Sequence, residues 1–223
     1  MASNCRLKPE NNPYYPYERV QDYASMPDTE AFLQKVVRYL LDLPENGYTP
    51  PDNNDFPRCR INKLLYYDGM DALSQPLPTP QQKMSLVFDP ASPDVPPDKT
   101  KKYRVYPMIY PIQAQSTGQT TMKIVMGWGK PTSSYRVDQA VLFEVMTNTA
   151  YEGNVQSNAL SRTYAICADI IRALNGVNID GVGTFYFDRR QHTECTLEPI
   201  ADKAENVGYR LVMGVSFMGG EGA

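Results

Sequence analysis

Histidine is almost absent from this chain of 223 residues, which contains His192 alone. A metal centre built from several histidines is therefore excluded, and His192 is the only imidazole that could act as an acid or base. The chain also lacks a basic excess, because its net charge is −3 and its pI is about 5.3. Sequence-specific DNA-binding proteins concentrate lysine and arginine, so this charge balance argues against that class.

Long apolar runs are missing too. No run approaches the roughly 18 residues that a membrane span requires, and residues 1–6 lack the apolar segment of a secretory signal. Cysteine is sparse, and its positions are widely scattered: Cys5, Cys59, Cys167 and Cys195. None of them has the paired spacing of a disulfide framework or a zinc motif. We therefore expect folding in a reducing cell interior, with no membrane segment.

The few groups that could support chemistry do not form a convincing constellation. His192 and Cys195 are the only neighbouring soft ligands, and a tetrahedral zinc site would need two more. His192 could act as a base for a Cys195 nucleophile, but the two lie three residues apart on a predicted strand or turn. Alternation along a strand directs their side chains to opposite faces, which argues against this pair. General acid and base chemistry would then rest on carboxylates, of which the candidates are Asp138, Glu144, Asp188, Glu194 and Glu198.

Glu144 is the most interesting carboxylate, because its strand face is otherwise apolar. A position at a sheet edge or at a contact between subunits explains it at least as readily as catalysis does. Nucleotide motifs are also missing, since Gly181-Val182-Gly183 has no third glycine and no glycine-rich loop ends in Gly-Lys-Ser/Thr. The sequence therefore predicts no catalytic residue, no metal ligand, no cofactor site and no enzymatic activity.

Proline is abundant but unevenly distributed, with seventeen of nineteen prolines at or before Pro111. Residues 1–24 combine prolines with four tyrosines, a composition that disfavours helix and offers rings for docking. This pattern predicts an extended N-terminal arm at 1–24 and a single domain at 25–223. Long proline-rich loops are expected within that domain at 44–60 and 74–101.

Two main helices are predicted from apolar periodicity. The first begins at Ser25 or Asp28 and ends at Pro44, and six apolar residues form one broad face: Phe32, Leu33, Val36, Val37, Leu40 and Leu41. The second runs from about Asn154 to Asn175, and Gly176 closes it. Its charged residues are expected to lie largely outside the apolar stripe, namely Arg162, Asp169 and Arg172.

Alternating patterns predict strands at 61–67, 84–88, 103–115, 120–128, 137–147, 184–187 and 209–217. In the predicted strand at 103–115, Pro107 and Pro111 lie on one face, which favours a strand at the edge of the sheet. Gly118 is expected to form the turn of a hairpin between this strand and the one at 120–128. Just before the strand at 103–115, residues 99–104 form a basic cluster, either a solvated strand entrance or a contact for phosphate or an acidic partner. The expected fold is α+β, with a mostly antiparallel sheet packed against two main helices.

The succession from Val137 to Phe187 includes Ala159-Leu160-Ser161-Arg162-Thr163-Tyr164-Ala165-Ile166 and Ile170-Ile171-Arg172-Ala173-Leu174-Asn175-Gly176. Together with Tyr209–Phe217, it resembles the tail-terminator and neck-ring proteins of tailed bacteriophages. The resemblance implies a structural virion protein that forms a cyclic ring of six or twelve copies. Such a ring would join portal, adaptor or head-completion proteins to the tail, and would let DNA pass through its lumen without sequence-specific binding. The implied location is the virion neck or tail, after synthesis in the host cytoplasm.

Two alternatives from other functional classes stay open. One is a monomeric module that binds a peptide or glycan through its tyrosines and Trp128. The other is a carboxylate-based hydrolase, which would need a pocket lined by at least two of the acidic residues named above, with shifted pKa values.

Overall fold

A computed structural model describes residues 29–43, 52–88, 102–107, 120–133, 136–149, 161–188, 195–202 and 206–218. The predicted arm at 1–24, much of the two proline-rich loops, and the residues Gly118, His192 and Glu194 lie outside these ranges. Within them the chain forms a curled sheet with helices packed on one face. The predicted α+β class is confirmed.

Three main helices and two short ones form the helical part of the described chain. The α-helices are α1 (Thr29–Leu40), α2 (Pro57–Tyr66), α3 (Pro80–Met84) and α4 (Arg162–Leu174), and a 3-10 turn covers Ala72–Ser74. All six apolar residues predicted for the inner face of the first helix are buried. The amphipathic period therefore identified α1 and the face that it buries.

Seven strands of the described ranges form one sheet. They are β1 (Val105–Tyr106), β2 (Thr121–Ser133), β3 (Arg136–Asn148), β4 (Asn178–Ile179), β5 (Gly183–Tyr186), β6 (Thr196–Asp202) and β7 (Asn206–Met218). The order is β1-β2-β3-β7-β5-β4, and β6 pairs with β7 beside β5. Every strand pair is antiparallel except β1 with β2.

The core lies between the helices and one face of the central strands. Most odd-numbered residues of β3 and β7 are buried against the helices, and Phe143, Val145 and Leu211 are fully buried. Most even-numbered residues are half-buried on the opposite face, among them Glu144 and Arg210. This alternation follows from the two-residue period of a strand, and it assigns each side chain of β3 and β7 to a face.

The strand predicted at Ile61–Tyr67 is wrong, because these residues belong mostly to α2. Pro57 opens the helix at a position where a missing N–H costs nothing, and Ile61, Leu64 and Leu65 then bury one helical face. The strand predicted at 84–88 is reduced to a single bridge between Val87 and Val105. The described chain thus has three main helices where two were predicted, with α2 beginning inside the range 44–60 and α3 lying inside 74–101.

The second predicted helix is not continuous through Ser161. This residue has extended backbone angles, and its side chain accepts a hydrogen bond from the Tyr164 N–H, so α4 begins at Arg162. The predicted residues 154–160 lie outside the described ranges. The end of α4 is as predicted, since Gly176 adopts a left-handed φ of 79°.

The hairpin predicted to lead into the 120–128 strand does not form at Val105 and Tyr106. These two residues lie at a sheet edge, as expected, but they pair with β2 in parallel. The short strands β4 and β6 had no clear sequence signal. Pro199 in β6 marks it as an edge strand that lacks one backbone donor.

Candidate functional site

A cluster of buried and half-buried cations lies at the C-terminal end of α2. The last carbonyls of a helix have no partner within the helix, and when buried they need donors from elsewhere. Arg162 supplies donors from the first turn of α4. Its guanidinium donates to the carbonyl of Leu64 in the last turn of α2 at 2.9 Å, and to three carbonyls just after the helix: Tyr67 at 2.6 Å, Asp68 at 3.1 Å and Gly69. Arg162 is only 1% exposed. Its predicted place outside the apolar stripe is therefore wrong.

Two residues of the predicted basic cluster bind the same helix end. Arg104 is buried and donates a hydrogen bond to the Leu65 carbonyl at 2.8 Å. Its guanidinium also binds both carboxylate oxygens of Asp68, at 2.6 and 2.8 Å. The Lys102 ammonium donates to the Tyr66 carbonyl at 3.2 Å and lies 3.8 Å from the centre of the Tyr66 ring. Burial lowers the pKa of Lys102, and the nearby Arg104 lowers it further. These cations contact the protein itself, so this part of the cluster is not a solvated strand entrance.

A buried carboxylate joins α2 to α4. Asp169 is 1% exposed, and it accepts hydrogen bonds from Arg60 Nε at 2.8 Å and from Arg172 at 3.4 Å. Burial raises the pKa of Asp169, although both arginines act in the opposite direction. The prediction that Asp169 lies outside the stripe is wrong, whereas Arg172 is exposed as expected.

A contrasting carboxylate precedes α2. The Asp52 carboxylate forms an ion pair with the Lys63 ammonium, with a nitrogen–oxygen distance of 2.6 Å. It also accepts hydrogen bonds from the Leu77 N–H at 2.9 Å and from the Cys59 thiol at 3.6 Å. The Lys63 hydrogen bond holds the pKa of Asp52 below its usual value. Burial raises the pKa of the Cys59 thiol. This thiol is therefore a poor nucleophile at neutral pH.

These two aspartates predict opposite dependences of stability on pH. Because the folded-state pKa of Asp169 is raised, its contribution to the free energy of unfolding is fully present below the ordinary value of 3.8 and falls as pH rises above it. Because the pKa of Asp52 is lowered, its contribution is present above 3.8 and is lost as pH falls. Denaturant unfolding of Asp169→Asn should therefore show a larger loss of stability at about pH 4 than at about pH 7, and Asp52→Asn the reverse.

The same experiment can contradict this account of burial. A larger loss for Asp169→Asn at neutral pH would show that Arg60 and Arg172 stabilise the ionised carboxylate by more than burial destabilises it. Comparison of each variant with the wild type at the same pH cancels the titration of groups that the substitution leaves unchanged.

The face of the sheet opposite the helices carries a row of alternating charge. Strand register aligns Lys123 of β2 with Glu144 of β3, Glu144 with Arg210 of β7, and Arg210 with Glu198 of β6. Arg210 makes two short bonds to Glu144, at 2.9 and 2.7 Å, and one longer contact with Glu198 at 3.4 Å. The hydrogen bond from Arg210 to Glu144 raises the pKa of the guanidinium. Glu144 lies on a central strand, so a sheet edge does not explain it.

The remaining candidate groups are spread over the structure. Asp138 accepts a hydrogen bond from the Ser216 hydroxyl at 2.7 Å, at the far end of β3 from Glu144. Cys195 is buried, with its thiol 3.4 Å from the Tyr186 carbonyl oxygen, and Asp188 is half-buried after β5. Gly181 and Gly183 have positive φ in the turn between β4 and β5, not in a nucleotide loop. Among the predicted carboxylates that the structure describes, Glu144 and Glu198 both contact Arg210, whereas Asp138 contacts Ser216.

Within the described ranges, no group of three or more histidine, cysteine or acidic residues is placed to hold a metal ion. In the same part of the chain, no helix combines the length and hydropathy that crossing a membrane requires. The groups that sequence reasoning missed are buried cations whose partners are carbonyls distant along the chain. Hydrophobic periodicity describes one element at a time, so it cannot show which carbonyls a cation will bind on another helix. Only the packing of the helices brings the cation and these carbonyls together.

A family model described as YomW matches residues 59–214 of the chain. The match runs from α2 to near the end of β7, so it includes the buried arginines and the charged row of the sheet. No curated protein and no solved structure matches the chain.

Proposed function

Because the chain belongs to the YomW family, a family of phage origin named like a gene product of the Bacillus phage SPBc2, we propose that it is a structural protein of the phage particle. In this proposal, copies of the chain form a ring of six or twelve in the neck or tail. The ring joins portal or head-completion proteins to the tail and encloses a channel for DNA. Its role is mechanical, without catalysis.

The observation that carries this proposal is an open sheet with two different edges. In the described part of the chain, the path of strands begins at β1, whose outer side is bridged by Val87, and at its other side it ends at β4 and β6 with no pairing back to β1. A sheet whose edges differ favours head-to-tail contacts, and a head-to-tail contact that repeats by rotation closes into a ring.

The charged groups support the same function. Glu144 and Asp138, two of the carboxylates considered for catalysis, accept hydrogen bonds from Arg210 and Ser216 on the exposed side of the sheet. A mildly acidic chain also suits a conduit, because a strongly basic lumen would retain the phosphate backbone.

Electron microscopy of the purified full-length protein tests the proposal, alone and mixed with portal and tail proteins of the same phage. We expect closed rings with a central channel, and a molar mass in solution that is a multiple of 25.2 kDa. A protein that stays monomeric in every mixture and binds a peptide or glycan through Trp128 would contradict the ring. So would hydrolytic activity that is lost on substitution of the acidic residues.

A further inference from the structure

We propose that the sheet face opposite the helices binds the same face of a second copy of this chain. A two-fold axis that runs along the strands, between β3 and β7, relates the two copies. We call this surface the outer face. Its central part consists of eight side chains on four strands: Lys123 and Val125 of β2, Leu142 and Glu144 of β3, Arg210 and Val212 of β7, and Thr196 and Glu198 of β6.

The outer face carries apolar side chains that the core does not use. Register places Val125, Leu142 and Val212 side by side on the three long strands, and all three are half-buried. Of the described residues, the hydrophobic core and the side chains packed against it include none of these three. A row of apolar groups that stays accessible in the middle of a sheet is typical of a surface that another molecule covers.

The charged row of the outer face leaves one cation and one anion without a close partner at its two ends. Its centre is satisfied, because Arg210 donates to Glu144 at 2.7 and 2.9 Å. At one end, Lys123 forms no ion pair within the described chain. At the other end, the Glu198 side chain is 51% exposed, and its ion pair with Arg210 is long, at 3.4 Å. Tyr106 lies beyond Lys123 and is uncharged, so the charged part of the row ends at Lys123.

A two-fold axis between β3 and β7 makes this row complementary to itself. The order across the four strands is Lys123, Glu144, Arg210, Glu198. Rotation about the axis reverses this order in the second copy, so Lys123 faces Glu198, and Glu144 faces Arg210. A two-fold axis across the strands would instead set each of these charges against its own copy. The charges therefore select the first of these two arrangements.

The same rotation brings the apolar rows together. Leu142 faces Val212 of the second copy, and Val125 faces the threonine at position 196. Two sheets that pack face to face in this way lie about 10 Å apart, with their strands nearly aligned. The contact therefore joins an apolar centre to ion pairs at both ends of the adjacent row.

The outer face is also large enough for such a contact. The strands β2, β3 and β7 have 13 residues each. At about 3.3 Å per residue and about 4.8 Å per strand, they cover roughly 600 Å², to which β6 adds. A standard interface buries about 800 Å² on each partner, so we expect a stable pair of moderate affinity.

This inference goes beyond the proposed ring and does not rest on it. The outer face lies at neither edge of the sheet, so a ring built through the edges keeps this face available. In a ring of six, the contact joins two rings into an assembly of twelve copies. A chain that forms no ring can still form the pair.

Charge exchange in the full-length protein tests the contact. Lys123→Glu sets like charges against Glu198 in both halves of the pair, and Glu198→Lys does the same against Lys123. Each variant alone should need roughly tenfold more protein than the wild type for half-maximal pairing in analytical ultracentrifugation. The two variants mixed in equal amounts should pair with each other about as tightly as the wild type, because every facing pair is then of opposite sign.

Mixing separates this contact from effects within one chain. Positions 123 and 198 lie three strands apart, roughly 14 Å, so neither substitution can correct the other inside a molecule. Asp55→Lys is the matched control for Glu198→Lys, because Asp55 is exposed before α2 and undergoes the same change of charge. It should pair like the wild type, and its addition should not restore pairing of Lys123→Glu beyond what the wild type restores. Thermal unfolding of each variant separates pairing from folding.

Two results would overturn the contact: a wild-type chain that stays monomeric up to about 0.1 mM, or a mixture that pairs no better than its separate variants. Electron micrographs judge the ring independently. Rings whose copy number is the same in the wild type and in both variants would leave the proposed function standing and reject the contact. Pairs that re-form in the mixture without any ring would support the contact and reject the proposed function.

Discussion

Replacement of Arg162 by methionine should strongly destabilise the fold. The substitution keeps a long apolar stem but removes the donors that reach the Leu64 carbonyl, which is buried, and three part-buried carbonyls just after α2. A buried carbonyl left without a donor costs about 1–3 kcal/mol and a part-buried one costs less, so we expect a total loss of about 4 kcal/mol. Since a domain of ordinary stability has about 5–15 kcal/mol in total, denaturant unfolding followed by circular dichroism should show a transition at a much lower denaturant concentration than in the wild type.

Two further variants make the result specific. Arg162→Lys keeps the charge but offers a single nitrogen, which cannot reach as many carbonyls, so it should fold with an intermediate loss. Arg172→Met removes an exposed arginine from the same helix, and should cost less than about 1 kcal/mol. Equal stability of Arg162→Met and Arg172→Met would show that water can replace the guanidinium at the end of α2.

Replacement of Gly208 by alanine should separate the two central strands. Gly208 of β7 lies opposite Met146 of β3 in the longest pairing of the sheet. A methyl group there would overlap the carbonyl oxygen of Val145 and approach the Met146 Cα to 2.9 Å, and neither backbone atom can move without breaking the ladder. Since φ of Gly208 is not in the positive range, the cost is steric alone. We expect more than about 3 kcal/mol of destabilisation, measured by thermal or denaturant unfolding.

Gly127→Ala is the matched control on β2. A methyl group at Gly127 would meet the Cδ1 atom of Leu142 at 2.5 Å and the Ala140 Cβ at 3.1 Å. The tip of a leucine can change rotamer, so this overlap should cost about 1–2 kcal/mol. If both alanine variants lost the same stability, the strands could part at Gly208 with little cost, and close backbone approach would not explain this glycine.

Long periodic segments were predictable from the sequence. Six apolar residues recur at helical spacing along α1 and the turn that ends it, so this pattern fits only a helix. The β3 and β7 segments alternate over more than ten residues, so their pattern fits only a strand. Short segments were not. Residues 61–67 are apolar enough for either a buried strand or a buried helix, and only packing of α2 against α4 and the neighbouring 3-10 turn selects the helix.

The charged residues show the same limit at the level of the site. Glu144 was recognised because a carboxylate on an apolar face is conspicuous within one strand, but its partner Arg210 lies sixty-six positions later. The sequence predicts that Arg162 and Asp169 lie on the outer side of their helix, because charged side chains are rarely buried without partners. Most of their partners are on α2 and in the residues just after it, about a hundred positions earlier in the chain. No local pattern contains that information.

The sequence alone determined that the chain is an α+β protein whose amphipathic α1 and alternating β3 and β7 form the core, because hydrophobic periodicity acts within a single element. Tertiary structure decided which charges are buried, where β1 and β6 lie in the sheet, and which edges face outward. Those features depend on contacts between residues far apart in the chain. Burial of an arginine becomes favourable only when the carbonyls of another helix are brought within hydrogen-bonding distance.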